Sequence, residues 1–355
     1  MDKIPYTKEE LLGFITKLYQ TPDKFIVGQH LNEQEFHRND IPYELDLCKK
    51  ESGGKTPAMI SFDVAYAAYY FGKHFDQYAE WFIDYAKKGG IISLCAHFRN
   101  PTKPSRDDDP FNYRGHLGRE DAWRDLLDPS TEIGAFWRKE IDVVAKFTKK
   151  LDDAGVPTIW RPLHEQNGGW FWFCMYQDDN YLVPHEYIEK AWRYIYKIFT
   201  EEYGMKHILW CYSPNILDPK HIMHCYPGDD IVDIVAMDWY TDGGLEMCKE
   251  DYGIACYKEL VKTGKPFALA EFGPVGDIRT DLALHPDYRF SCADALDTYK
   301  KVIESGISFA YATFWSSWAQ VKISLWNMGK ADVLMNDSAV IDLDAAYKYF
   351  TEGKF

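Results

Sequence analysis

Eight short apolar runs, separated by amphipathic stretches long enough to be helices, constrain this chain more than any other feature. The runs lie at 24–28, 58–62, 91–96, 157–163, 207–210, 234–239, 266–271 and 309–315. The stretches 75–88, 136–153, 184–203, 245–263 and 292–305 read as helices. Several stop where a helix C-terminus favours glycine, at Gly89, Gly155, Gly204, Gly264 and Gly306. Strands alternating with helices argue for a parallel sheet. Eight such units predict a single (β/α)8 TIM barrel over residues 1–355, a length within the range such barrels span, roughly 250 to more than 400 residues. An open doubly wound sheet is the alternative, weakened by the absence of GxGxxG and P-loop sequences. No repeat, low-complexity tract or linker marks a second domain. The irregular stretch 100–131 is expected to cross the barrel mouth and shape a cleft wall.

A barrel of this kind carries its chemistry at the carboxyl ends of the strands. Strand four leads into RPLHEQNGGWFWF (161–173), with Glu165, and strand seven forms KPFALAEFGP (265–274), with Glu271. Two carboxylates facing one cleft are the minimal equipment for cleaving a glycosidic bond. The bland alternatives are a helix cap or solvent-facing residue for Glu165 and a strand-end salt bridge for Glu271. Against them, His164 and the WFWF cluster would desolvate Glu165 and raise its pKa, as a general acid requires. Tyr240, past strand six, would donate its hydroxyl to a nucleophilic carboxylate. His97 ends strand three, and Trp170 and Trp315 are candidates to stack on sugar faces. Trp172, Trp210 and Trp318 read as core or rim, and Asp238 is open between holding a loop and acting. RDDDP (106–110) lacks the spaced ligands of a calcium loop and reads as a solvated turn.

The formal net charge of −15, with no basic run, argues against nucleic acid, anionic membrane surfaces and acidic polymers, and favours a neutral substrate. Aromatics reach 16%, with 12 Trp and 25 Tyr, more than a core needs and suited to flat sugar rings. The eight cysteines form no CxxC pair, and buried thiols are expected ahead of disulfides. No apolar stretch is long enough to span a membrane, and MDKIPYTKEELLGF has no signal-peptide core. Because polysaccharides do not enter cells intact, a secreted, periplasmic or cell-surface location with a removed leader is expected. No metal or cofactor is expected, and a monomer is.

These segments resemble glycoside hydrolase family 26, best known as β-mannanases. The resemblance rests on RPLHEQNGGWFWF, HILWCYSPN (207–215), the strand-six DWY segment, FALAEFGP, AHFRNP and the tail MNDSAVIDLD (335–344). It implies a retaining mechanism with Glu165 as acid/base and Glu271 as nucleophile. His164 and Tyr240 would orient the nucleophile and the sugar in the −1 subsite, while His97, Trp170 and Trp315 line it. Arg161 and Asp238 complete the expected substrate-binding set. Many relatives read HEMN and WFWWG where this chain has Gln166, Phe173 and Cys174, a departure that bears on subsite preference. The implied activity is cleavage of internal β-1,4-mannosidic bonds in mannan, glucomannan or galactomannan. The alternatives are a β-1,3-1,4-glucanase, a β-1,3-xylanase of the same family, or a non-catalytic carbohydrate-binding barrel. A retaining enzyme should hold its carboxyls about 5–5.5 Å apart, an inverting one roughly 6.5–9.5 Å.

Overall fold

The computed structural model describes residues 3–31, 43–107, 109–242, 252–275, 294–317 and 322–354. Its strands are β1 Phe25–His30, β2 Met59–Asp63, β3 Ile91–Cys95, β4 Thr158–Arg161, β5 Ile208–Tyr212, β6 Ile234–Asp242, β7 Phe267–Val275 and β8 Tyr311–Phe314. Each pairs in parallel with the next, and β8 and β2 both pair with β1, closing the (β/α)8 barrel. A short β9, Val340–Ile341, which the sequence pattern does not announce, pairs in parallel with the amino end of β1 at Phe25 and Ile26.

The helices used below are α1 Lys8–Tyr19, α2 Tyr43–Glu51, α3 Val64–Phe71, α4 Phe75–Lys87, α5 Glu120–Leu126 and α6 Glu132–Asp153. After them come α7 His185–Lys197, which continues as a π turn Ile198–Glu202, α8 Tyr252–Leu260 and α9 Ala295–Glu304. The expected helices 245–263 and 292–305 begin outside the described residues. Glycine ends helices where expected: Gly89 and Gly155 follow α4 and α6 with φ of 87° and 73°, a region costly for any residue with a Cβ.

Polarity divides the barrel into two ends. Ile26, Met59, Ile91, Ile159, Leu209 and Ala268 pack against Leu11, Phe14, Ile15 and Leu18 of α1, so the amino end is plugged with apolar side chains. The helix starts in place because Thr7 and Glu10 cap each other's backbone N–H, at 3.2 and 2.7 Å. The buried polar side chains Gln29, His30, Asp63, Arg161, Asp238 and Glu271 lie at or near the other ends of their strands.

Two departures from the expected strands shape the site. β4 stops at Arg161, before the expected end at 163, because Leu163 and Glu165 adopt left-handed backbone conformations with φ of 51° and 53°. β6 and β7 run past their expected ends, with a register shift between Met237 and Asp238 that sets Asp238 opposite Glu271. No helix among the described residues is long and apolar enough to cross a membrane.

Candidate active site

Glu165 sits on a strained turn. Two residues with side chains in the left-handed region, each costing of order 1–3 kcal/mol, persist only where the surroundings hold them. Here the Glu165 N–H donates to the Ser213 carbonyl at 2.8 Å, and Gly168 N–H donates to the Glu165 carbonyl at 2.9 Å. Asn167 and Asn215 lock this turn to the loop after β5: Asn167 Nδ2 donates to the Asn215 carbonyl at 2.6 Å, and Asn215 N–H donates back to Asn167 Oδ1 at 2.7 Å. The glycine at 168 is required, since a Cβ there would stand 2.5 Å from the Trp170 ring. That ring belongs to the site. Trp170 Nε1 donates to Glu165 Oε2, and Asn215 Nδ2 donates to Oε1, both at 2.8 Å.

Glu271 has different company. Arg161 Nη2 donates to Oε1 at 2.8 Å, the Tyr240 hydroxyl donates to Oε2 at 2.6 Å, and His164 Nε2 lies 4.0 Å from Oε1. Asp238 receives Arg161 Nη1 at 3.0 Å and the Ser213 hydroxyl at 2.5 Å. One oxygen from each of Glu165, Asp238 and Glu271 falls within 4.8 Å of the others. Isolated, that donor set would suit a divalent cation; here the Arg161 guanidinium already lies against two of the three. One guanidinium cannot neutralise three carboxylates: burial and then Glu271 hold Asp238 well above the usual carboxylate range in spite of Arg161, and Glu165, which Arg161 does not touch, is raised too. Burial, and then the neighbouring Glu271, push Glu165 up to about 7, against hydrogen bonds from Asn215 and Trp170.

A second buried chain of polar groups approaches from β2 and β3. Asp63 ends β2, caps α3 by accepting from Tyr66 N–H at 2.8 Å, and also accepts from His97 N–H at 2.9 Å. Asp63 also meets the His97 ring at Nδ1, which leaves His97 Nε2 facing His164 Nε2 at 3.2 Å. His97 is raised by Asp63 in spite of its burial, whereas burial and then His97 hold His164 well below the usual histidine range. His164 therefore meets Glu271 as a neutral ring. Trp315 stacks on His30, ring centroids 3.5 Å apart and planes nearly parallel, and its backbone carbonyl accepts from Gln29 Nε2 at 3.3 Å.

A model of glycosyl hydrolase family 26 matches residues 6–324. The chain belongs to that family. Mannan endo-1,4-beta-mannosidase A and B of Caldalkalibacillus mannanilyticus is 31% identical over 280 residues, 76% of this chain and 50% of that protein. A mannan endo-1,4-beta-mannosidase of Bacillus subtilis is 34% identical over 200 residues, 55% of this chain and 51% of that one. The chain thus spans about half the length of these curated relatives. Among solved structures, Bacillus subtilis mannanase man26 superposes with a TM-score of 0.72 at 24% identity, covering 94% of this chain and 92% of that one, a likeness of fold.

Within this family 26 barrel, seven of the nine expected site residues are brought together: Glu165 with Trp170, Glu271 with His164 and Tyr240, and His97 with His164 and Trp315. The other two need correcting. Arg161 and Asp238 are wholly buried, each with 0% exposed surface, so neither can touch a sugar. They form an ion pair beneath the carboxylates and position Glu271. Residues not singled out from sequence include Asn215, Ser213 and Asp63. Asn215 closes the segment HILWCYSPN, and a polar side chain at the mouth of β5 was the available signal; Asp63 offered the same signal at the end of β2. Trp172 and Trp210 are buried as expected, while Trp318 lies outside the described residues. The six described cysteines are buried free thiols; Cys248 and Cys292 lie outside the described residues.

The buried ion pair makes a direct prediction. Arg161→Met is expected to lower the unfolding free energy by about 3–5 kcal/mol, because it strands Asp238 and Glu271 without a counter-charge. Urea denaturation checks this. Stability within 1 kcal/mol of wild type, roughly the worth of an exposed pair, would deny Arg161 this role.

Proposed function

We propose that this chain is an endo-acting mannanase that cleaves internal β-1,4-mannosidic bonds with retention, by double displacement. The carrying observation is the carboxyl pair: Glu165 and Glu271 approach within 4.8 Å through their nearest oxygens, yet sit in opposite environments. That spacing favours the narrow retaining geometry over the wider gap that must admit a water between the carboxyl and the sugar. Glu165, pushed up to about 7, holds a proton near neutral pH for the leaving oxygen. Glu271, oriented by Arg161 and Tyr240, attacks the anomeric carbon from the opposite face. In the second step Glu165, now a carboxylate, takes a proton from the water that releases the sugar.

Mannan as the substrate is supported by the names of the curated relatives, and an extracellular or periplasmic site of action by the size of that substrate. The test is hydrolysis of galactomannan, glucomannan, barley β-glucan and β-1,3-xylan, with products separated by chromatography and the anomer of the first product read by NMR. Release of β-configured manno-oligosaccharides of mixed length supports the reading. Activity confined to β-glucan or xylan would move the substrate and keep the pair. An α-configured first product would overturn the retaining mechanism.

Tyr240→Phe removes a 2.6 Å hydrogen bond to the nucleophile without emptying space. A bond to a charged group is worth roughly 1.5–3 kcal/mol, so kcat should fall about 10- to 100-fold with Tm nearly unchanged. An unchanged rate would reduce Tyr240 to packing.

A further inference from the structure

Trp315 is the first residue beyond the sheet, because β8 ends at Phe314. One face of its half-buried indole lies on His30, planes 12° apart, and His97 meets it edge to face with centroids 6.1 Å apart. His30 is itself pinned, its Nδ1 lying 3.1 Å from the Ser61 hydroxyl of β2. The backbone of Trp315 is held from behind by Gln29 of β1. Gln29 is wholly buried, and its Nε2 donates to the His30 carbonyl at 2.7 Å as well as to the Trp315 carbonyl at 3.3 Å. Its Oε1 accepts from Leu325 N–H at 2.8 Å, so one amide joins the indole, the ring beneath it and the far limb of the loop after β8. A buried amide satisfied at both ends fixes geometry as well as contributing energy.

That amide is gripped in turn by α2. Glu44, in the first turn of the helix, is buried. Its Oε1 accepts from the Ser324 hydroxyl at 2.9 Å, Trp326 Nε1 at 3.1 Å and Gln29 Nε2 at 3.4 Å. Cys48, one turn on, directs its thiol to Gln29 Oε1 at 3.7 Å. Ser324 carries the tie back to the chain beside Trp315. Its hydroxyl accepts from Ser317 N–H at 2.7 Å, and Ser317 Oγ accepts from the N–H groups of Ile323 and Ser324 at 3.0 and 2.9 Å. A carboxylate is expensive to bury, and simple packing of α2 against this loop would not need one. Three donors converging on one of its oxygens, from the loop and from β1, make it a rigid anchor point.

We propose that Glu44 is a positioning residue for the sugar at the scissile bond. Buried behind Trp315, it does not touch the sugar. Acting through Gln29 and Ser324, it sets the height and tilt of the indole against His30 and His97, and so against the sugar. The proposal rests on the mannanase reading, in which Trp315 is a platform for that sugar. Positioning from this depth has leverage, because a misplacement of about 1 Å at the reacting centre can cost on the order of 10²-fold.

The experiment is a double-mutant cycle read on kcat/KM for mannan. Glu44→Ala should lower it by about 10- to 100-fold in the wild-type background, and Glu44→Gln, which keeps an acceptor for Ser324 and Trp326, should restore most of that loss. In Trp315→Ala, where no indole remains to be placed, Glu44→Ala should cost less than about threefold more. A second readout needs no substrate. In protein isotope-labelled at the tryptophan indoles, the Trp315 NMR line, identified by its loss in Trp315→Phe, should shift or double in Glu44→Ala. Losses that multiply across the cycle, a Glu44→Ala protein within about threefold of wild type, or an unmoved Trp315 line each overturn the proposal. Ser324→Ala, which removes one donor and keeps the carboxylate, runs the same cycle if Glu44→Ala does not fold, and multiplying losses there overturn it equally. Failure of the mannanase reading has a separate signature: wild type leaves mannan uncut while the Trp315 line still answers to Glu44→Ala.

Discussion

Glu271→Ala is expected to lower turnover of mannan by on the order of 10⁴–10⁶-fold, the loss seen when a covalent nucleophile is removed from a preassembled site. Binding of the polysaccharide should largely survive, because Trp170, Trp315, His97 and His164 keep their supports. The fold should survive as well, since Arg161 remains paired with Asp238 at 3.0 Å and with the Ser213 hydroxyl at 3.0 Å. The substitution has a second, electrostatic consequence. Glu271 is the largest electrostatic cause, after burial, of the raised Glu165 proton affinity. Its removal should therefore bring Glu165 down from about 7, observable as a shifted carboxyl titration by NMR. Wild-type turnover in this variant would eliminate Glu271 as nucleophile, and an unmoved Glu165 titration would mean that the two carboxyls do not sense each other.

The barrel and its chemical end are legible in the sequence because both follow from local pattern. Apolar runs, amphipathic stretches and terminal glycines are short-range signals, and the rule that chemistry gathers at strand carboxyl ends then picks out Glu165 and Glu271. Which polar residues face the sugar is not a local property. Arg161 occupies the same strand-end position as a substrate ligand would, and only the meeting of β4, β6 and β7 shows it buried against Asp238 and Glu271. Asn215 and Asp63 were missed for the same reason: a lone polar side chain at a loop start becomes part of a site only through partners some 30–50 positions away, Asn215 through Glu165 and Asp63 through His97. The left-handed backbone at Leu163 and Glu165 was also hidden, since neither residue type favours it. The conformation is imposed by contacts to the loop after β5, and it turns the Glu165 carboxyl toward Trp170.

That placement sets up the sharpest test of the acid. With Glu165 titrating near 7, the protonated form dominates below that pH and is lost above it, so kcat/KM on mannan should fall about tenfold per pH unit on the alkaline side. Glu165→Ala should reduce mannan hydrolysis by roughly 10²–10⁴-fold while sparing the first step on an aryl glycoside whose leaving group needs no proton, and the alkaline limb should vanish. Equal losses on both substrates would argue against the acid role. Stability must follow the same proton. A carboxyl raised from 4.5 in the unfolded chain to about 7 in the folded one contributes fully below the lower value, and its contribution is lost as pH rises through the upper. Wild-type protein should therefore lose on the order of 3 kcal/mol through this group between about pH 5 and pH 9. Glu165→Gln, which cannot ionise, should not show that loss. If its stability falls as steeply as that of wild type, the proton is not on Glu165, and the acid must be sought elsewhere in the cluster.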